Sequence, residues 1–256
     1  MSTPGPENLP TGLGRSGRPV DSAGVPWQGR NLPPGDFSGD GGEADDELAR
    51  ALREGGEADV VTRLAGARVF VPMTALEVES TTSESGLEAD KQADMAVVLL
   101  KNPDGRTALP IFSSLADLQA FDTGLRPVPV RAEAAARSAI GEQADLMVLD
   151  CASEQAFEVR GSMVWALAQG REWTVAHEDE VVREAVADVC SRYSEITEAA
   201  VGPGPRDGSG VLQVTLTLAP GFDQAGIEAL VGTVAEELAA QDEVRSRIDG
   251  LGFTIT

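Results

Sequence analysis

Two rhythms organise the apolar positions of this chain. From Val211 to Ala219 they alternate, with Leu212, Val214, Leu216 and Leu218 on one side and Gln213, Thr215 and Thr217 on the other. A period of two predicts a strand with one buried face and one wet face, or one covered by a partner. Asp179 to Ser191 instead spaces Val181, Val182, Ala185, Val186 and Val189 as one face of a helix. Gln224 to Ala240 does the same with Ile227, Leu230, Val231, Val234 and Leu238.

Shorter runs fill in the rest. Met95–Leu100 and Asp145–Asp150 read as buried strands, the second central in its sheet because both its faces are apolar. Ala67–Pro72, Thr107–Phe112, Pro127–Val130, Phe157–Val159, Tyr193–Val201 and Gly252–Ile255 also read as strands. The Asn102-Pro103-Asp104-Gly105 turn makes Thr107–Phe112 the antiparallel partner of Met95–Leu100. Helices are predicted from Asp45 to Leu52, Val60 to Leu64, Leu115 to Phe121, Ala132 to Ile140 and Ser162 to Gln169, with a short one ending at Ile248. Ser113 or Ser114 serves as N-cap of the third, and Gly170 closes the Ser162–Gln169 helix. Glu79 to Asp94 is polar and reads as a surface loop.

The first 44 residues follow neither rhythm. They are dominated by Gly, Pro, Ser and Asn and bury too little apolar surface to offset their ordering entropy. The expected architecture is therefore α+β: two small mixed-sheet domains with flanking helices behind a disordered tail. The boundaries fall at residues 1–44, 45–173 and 174–256. Trp27 and Phe37 are isolated aromatics in the tail, the kind that dock on a domain or a partner.

Charge narrows the function classes. The formal net charge is −22, and the tail carries only three basic and five acidic groups, so the acidity belongs mainly to the folded part. Such a surface repels phosphate backbones and anionic membranes, so neither a nucleic acid nor a membrane is an expected partner. Aromatics make up 4% of the chain, so its cores must be built mainly from Ala, Val and Leu. Cys151 and Cys190 are distant and outside any CxxC, which suits buried thiols in a reducing cytoplasm. No 18-residue apolar run is present.

Motifs with chemical content are few. Gly12-Leu13-Gly14-Arg15-Ser16-Gly17 spells GxGxxG but has neither the strand nor the helix that phosphate binding needs. Asp36, Ser38, Asp40, Gly41 and Glu47 match calcium-loop spacing, yet Pro33-Pro34-Gly35 cannot form the incoming helix and Glu43 stands where an apolar residue belongs. His177 is the only histidine, which rules out a two-histidine metal site and leaves at most one imidazole base. No catalytic residue, cofactor or metal site is expected. Trp165 and Trp173 flank the end of the Ser162–Gln169 helix, where packing across the domain junction or lining a groove would use them.

Val97 to Leu100, the Asn-Pro-Asp-Gly turn and Leu109-Pro110-Ile111-Phe112-Ser113-Ser114 together resemble the SseB family, named for an enhanced serine sensitivity phenotype. Pro127-Val128-Pro129-Val130 and the Asp145–Asp150 strand fall where its first domain continues. Trp27-Gln28-Gly29-Arg30, Phe37 to Gly41 and Ala44-Asp45 resemble the leader of actinobacterial members, and residues 178–256 resemble the family's C-terminal domain. One departure is Asp150-Cys151, where many relatives look like Asn-Pro. The resemblance implies no established enzyme activity.

The resulting expectation is a non-enzymatic cytoplasmic interaction or regulatory protein with a protein partner, homo-oligomers being open. Candidate contact residues are Trp27, Phe37, Trp165, Trp173, Gln213, Thr215 and Thr217. A small-molecule sensor with a cleft between the two domains is the alternative, and an unrecognised enzyme a third.

Overall fold

The computed structural model describes residues 37, 39–76, 94–204 and 210–256. Trp27, the GxGxxG stretch, Asp36, Ser38 and nearly all of the polar Glu79–Asp94 stretch lie outside them. Met1–Gly41 and Gly42–Thr256 are separate units. In the first, the Asp40 N–H donates to the Phe37 carbonyl at 3.1 Å, closing a turn.

The second unit opens with α1 (Asp46–Glu54) and α2 (Glu57–Gly66). Asp45 caps α1 by accepting the Glu47 and Leu48 N–H groups at 2.9 and 3.0 Å, which satisfies two donors that have no partner within the helix. Strand β1 (Arg68–Leu76) then runs antiparallel between β2 (Asp94–Val97) and β5 (Arg126–Arg131). A four-stranded sheet has the order β3 (Leu100–Lys101), β4 (Thr107–Ile111), β6 (Leu146–Leu149), β7 (Phe157–Val159). Within it β4 and β6 are parallel, joined by a crossover through α3 (Leu115–Phe121), β5 and α4 (Ala132–Gly141). Phe70 and Phe112 exchange backbone bonds of 2.8 and 2.9 Å, tying β1 to the end of β4. Helix α5 (Gly161–Gln169) ends at Gly170, whose φ of +65° suits a residue without Cβ.

The run Met95–Leu100 corrects the sequence reading. It is not one buried strand: it breaks after Val97, β2 joining β1 and β3 joining β4. Both are edge strands, none of residues 95–100 is buried, and Leu99 is 36% exposed. A short apolar run has the same appearance at the edge of a sheet as at its centre, and only the pairing decides. The run Asp145–Asp150 is central as expected, since β6 lies between β4 and β7.

After residue 173 come α6 (Glu180–Ser191), β8 (Ile196–Pro203), β9 (Val211–Leu218), α7 (Gln224–Ala239), α8 (Asp242–Arg245) and β10 (Gly250–Ile255). The sheet order is β10-β9-β8, with β9 parallel to β10 and antiparallel to β8. The fold is thus α+β, with three sheets among the described residues.

Burial follows the predicted face of β9 and most of that of α6, but Val181 is 38% exposed and only Val234 and Leu238 of the predicted α7 face are buried. One core contains Leu48, Leu64, Val69, Leu109, Ile111, Met147, Leu149 and Met163, together with Ala132, Ala135, Ala136 and Ala139 of α4. The alanine face lets α4 pack closely on α5, so few aromatics are needed. A second core joins Val182, Val186 and Val189 of α6 to Leu212, Val214 and Leu216 of β9 and Val234 and Leu238 of α7. A small third cluster gathers Phe70, Phe112 and Leu118.

Candidate functional site

The parallel pair β4/β6 ends in two loops that a single carboxylate joins. Asp150, 4% exposed, accepts the Ser113 N–H at 2.8 Å through one oxygen and the Ser113 hydroxyl at 2.7 Å through the other. Burial raises its pKa above 3.8 despite both Ser113 bonds, and Asp117 pushes the same way. Its φ of +51° holds the turn after β6. Beside it, burial pushes the Cys151 thiol above its ordinary value, away from the nucleophilic thiolate. Through these two bonds Asp150 joins the loop after β6 to the loop after β4.

A second polar centre joins the two larger cores. Arg160, just before α5, forks onto the Glu57 carboxylate at the start of α2 and donates from Nε to Asp249 at 3.0 Å. Asp249 also accepts the Ser162 N–H at 2.6 Å and the Ser162 hydroxyl at 2.8 Å. Trp173 Nε1 donates to the Ser162 oxygen at 3.0 Å, with the Arg160 guanidinium 5.8 Å above its ring. Burial pulls the guanidinium pKa down, but the two carboxylates outweigh it and the net shift is upward. A smaller network sits alongside: Arg247 donates to Asp179, the N-cap of α6, at 2.8 Å, and Arg171 donates to the Ser246 carbonyl at 2.7 Å.

The open surface lies on the β10-β9-β8 sheet. Its inner face packs on α6 and α7. Register places Glu198, Ala200 and Gly202 of β8, Gln213, Thr215 and Thr217 of β9, and Gly252 and Thr254 of β10 on the outer face. None of these is buried. The Gln213 amide meets the Thr254 hydroxyl at 3.0 Å, and the Thr217 and Thr256 hydroxyls are 2.9 Å apart. Glu198 is the only charged residue in this set, although 24% of the chain is charged. A flat patch of small residues and hydroxyls results, uncharged at its centre. Depletion of charge marks the centre of protein interfaces more reliably than hydrophobicity does.

A groove of about 600 Å³ borders this sheet between α6 and β8, lined by His177, Glu180, Arg183, Glu184, Ala187 and Ala199 among others. His177 stands 3.8 Å from Glu178 at the groove mouth. Neither Asp150 nor a cysteine lines the groove.

The remaining candidate residues are scattered. Trp165 is 40% exposed on α5, whereas Trp173 is 6% exposed and belongs to the first core. Phe37 is half-buried, and Trp27 lies outside the described residues. Glu47, read as the last oxygen of a calcium-like loop, pairs with Arg63. Sequence reasoning missed Arg160 and Asp249 altogether, and it singled out Asp150 only as a departure at the turn, without its bond to Ser113. Their signal was a lone charge at the boundary of an apolar run, which is weak in an acidic chain.

No curated protein and no solved structure matches this chain. Residues 46–166, from α1 into α5, match the family model of the SseB protein N-terminal domain.

Proposed function

From the premise that residues 46–166 are an SseB-family domain, we propose that this protein is a non-catalytic interaction or regulatory protein. It presents the outer face of the β10-β9-β8 sheet to a protein partner in the cytoplasm, and residues 174–256 serve as its SseB-like C-terminal domain of actinobacterial type. The observation that carries this reading is the patch centred on Gln213, Thr215 and Thr217, uncharged within a chain of net charge −22. Two polar centres with chemical potential support it, because their contacts join parts of the fold. Ser113 and Asp150 clasp two loops, Asp249 and Arg160 join two cores, and burial raises the pKa of both thiols, although Cys151 is half-buried rather than buried as the sequence suggested.

The test is cross-linking mass spectrometry on the full chain in host extract, compared with Thr215→Arg. Cross-links from a partner to residues flanking 213–217, lost in Thr215→Arg, support the proposal. Cross-links that map elsewhere and survive the substitution overturn it.

A second reading is a small-molecule sensor, with its hollow within residues 61–173 and not in the expected cleft between the two domains. A hollow of about 190 Å³ between α2 and the end of α5 carries Glu133 and Arg171 beside Thr62 and Trp173. Burial and the nearby Arg247 lower the Arg171 pKa, so its desolvated charge favours an anionic group. Stabilisation by serine or a related amino acid in a thermal-shift titration supports this reading, since binding raises stability by mass action. An unchanged midpoint discards it.

A further inference from the structure

Strand β8 is the outer strand of its sheet, and its free edge can be read atom by atom. The Leu216 carbonyl accepts the Thr256 N–H at 3.0 Å, and the Leu218 N–H donates to the Thr256 carbonyl at 3.3 Å. Leu216 and Leu218 therefore turn their backbone groups toward β10, and Thr215 and Thr217 turn theirs toward β8. Their partners on β8 are Ala200 and Glu198, and Gln213 pairs with Gly202. It follows that Ala199 and Val201 aim their N–H and C=O groups away from β9, on the side where β8 has no strand neighbour among the described residues. Pro203, opposite Leu212, has its missing N–H on this same edge.

This edge is guarded only at its ends. A register shift between Ile196 and Glu198 interrupts one end and Pro203 the other. Between them Ala199, Ala200, Val201 and Gly202 carry no charge, no bulge and no proline, the devices that keep edge strands from pairing. Helix α6 leaves the groove of about 600 Å³ over this edge. The groove holds one guanidinium, Arg183, with the carboxylates of Glu180 and Glu184, and none of the three enters an ion pair within the described residues.

We propose that a second copy of this chain occupies the edge, pairing β8 with β8 antiparallel about a two-fold axis at Ala200. In that register Ala199 faces Val201 of the other copy, and each such pair exchanges both backbone bonds. Glu198 faces Gly202 of the other copy, so like charges are not opposed. Above the sheet the two grooves meet, bringing Arg183 of each copy to the carboxylates of the other. The interface is isologous and closes at two subunits. It extends the sheet into six strands and places two outer faces side by side. The edge and the outer face are different surfaces, so this proposal and the proposed function can fail separately.

Each copy carries a net charge of −22, so long-range repulsion opposes the dimer and salt relieves it. A basic peptide on the same edge would instead be weakened by salt. The test is analytical ultracentrifugation of the full chain at low and high ionic strength, with Ala199→Pro as comparison. That substitution removes an outward N–H and leaves the β9 ladder intact. The expected result is a species of twice 26.7 kDa that grows with salt and is lost in Ala199→Pro. If the variant does not fold, hydrogen exchange on the wild-type chain tests the same pairing, with the Ala199 and Val201 amides protected in proportion to dimer. A monomer at every salt and protein concentration, a dimer that survives Ala199→Pro, or unprotected β8 amides in the dimer overturns the proposal. A monomer whose β8 amides are protected only on adding a basic peptide also overturns it and assigns the edge to a different partner.

Discussion

Asp249 and Arg160 lie 89 positions apart in sequence and form the polar centre between the two larger cores, Nε to Oδ2 at 3.0 Å. Their side chains are 10% and 9% exposed. The same carboxylate caps α5 through Ser162, so one side chain satisfies a helix end and a buried cation together.

Replacing Asp249 with Ala removes one carboxylate from Arg160, keeps the fork onto Glu57 and opens the α5 N-terminus. Removing one partner of a buried pair costs about 3–5 kcal/mol, and the remaining contact with Glu57 places the expected loss at the lower end. Asp249→Asn keeps an acceptor for Ser162 and loses less. Urea denaturation of the two variants checks the order.

Gly210 sits under this centre at φ +67°, where an added Cβ would lie 2.1 Å from Asp249 Oδ2 and 2.7 Å from Arg160 Nε. Gly210→Ala combines left-handed strain with a collision and is expected to cost about 1–3 kcal/mol. In Gly210→Ala/Asp249→Ala the nearest collision partner is gone, so the double variant should lose less than the two single losses combined. A double-mutant cycle by denaturation measures the coupling, and strict additivity would contradict the collision.

Asp150 predicts a pH signature. Its folded pKa is raised, by burial first, above the unfolded value of 3.8. The folded state therefore binds the proton more tightly. This group's contribution to stability is full below the unfolded value and is lost as pH rises through the window up to the raised folded value. An asparagine at this position would carry no such charge and tolerates positive φ. The stability of Asp150→Asn relative to wild type should improve from acid to neutral pH, as unfolding free energies across that range will report. A constant difference refutes it.

The two tryptophans of the α5 region should separate in the same assay. Trp173→Ala empties a core position and removes a donor to Ser162, with an expected loss of about 3–5 kcal/mol. Trp165→Ala, at a site 40% exposed, should stay within about 1 kcal/mol of wild type.

Much of the fold was legible from local pattern. Alternation marked Leu212, Val214 and Leu216 as the inner face of β9, and all three are fully buried. Helical spacing marked Val182, Val186 and Val189 but also the exposed Val181, and of the two serines read as caps of α3 it is Ser114 that caps it. The polar face of Gln213, Thr215 and Thr217 was legible for the same reason, because a period of two assigns a side as well as an element. What failed was Met95–Leu100, where one apolar run serves two sheets.

The sequence by itself determined the type and approximate place of most elements, the face that β9 buries and how acidic the chain is. These depend on residues three or four positions apart, or alternate ones, so neighbours in the chain record them. Only the tertiary structure decided that Asp249 meets Arg160, that Asp150 meets Ser113 across 37 positions and that β8 is left at an edge. With 42 acidic and 20 basic side chains in the chain, no local pattern distinguishes the few carboxylates that will be buried and paired. Packing selects them, because a charge withdrawn from water needs a partner that the chain brings near only when it folds.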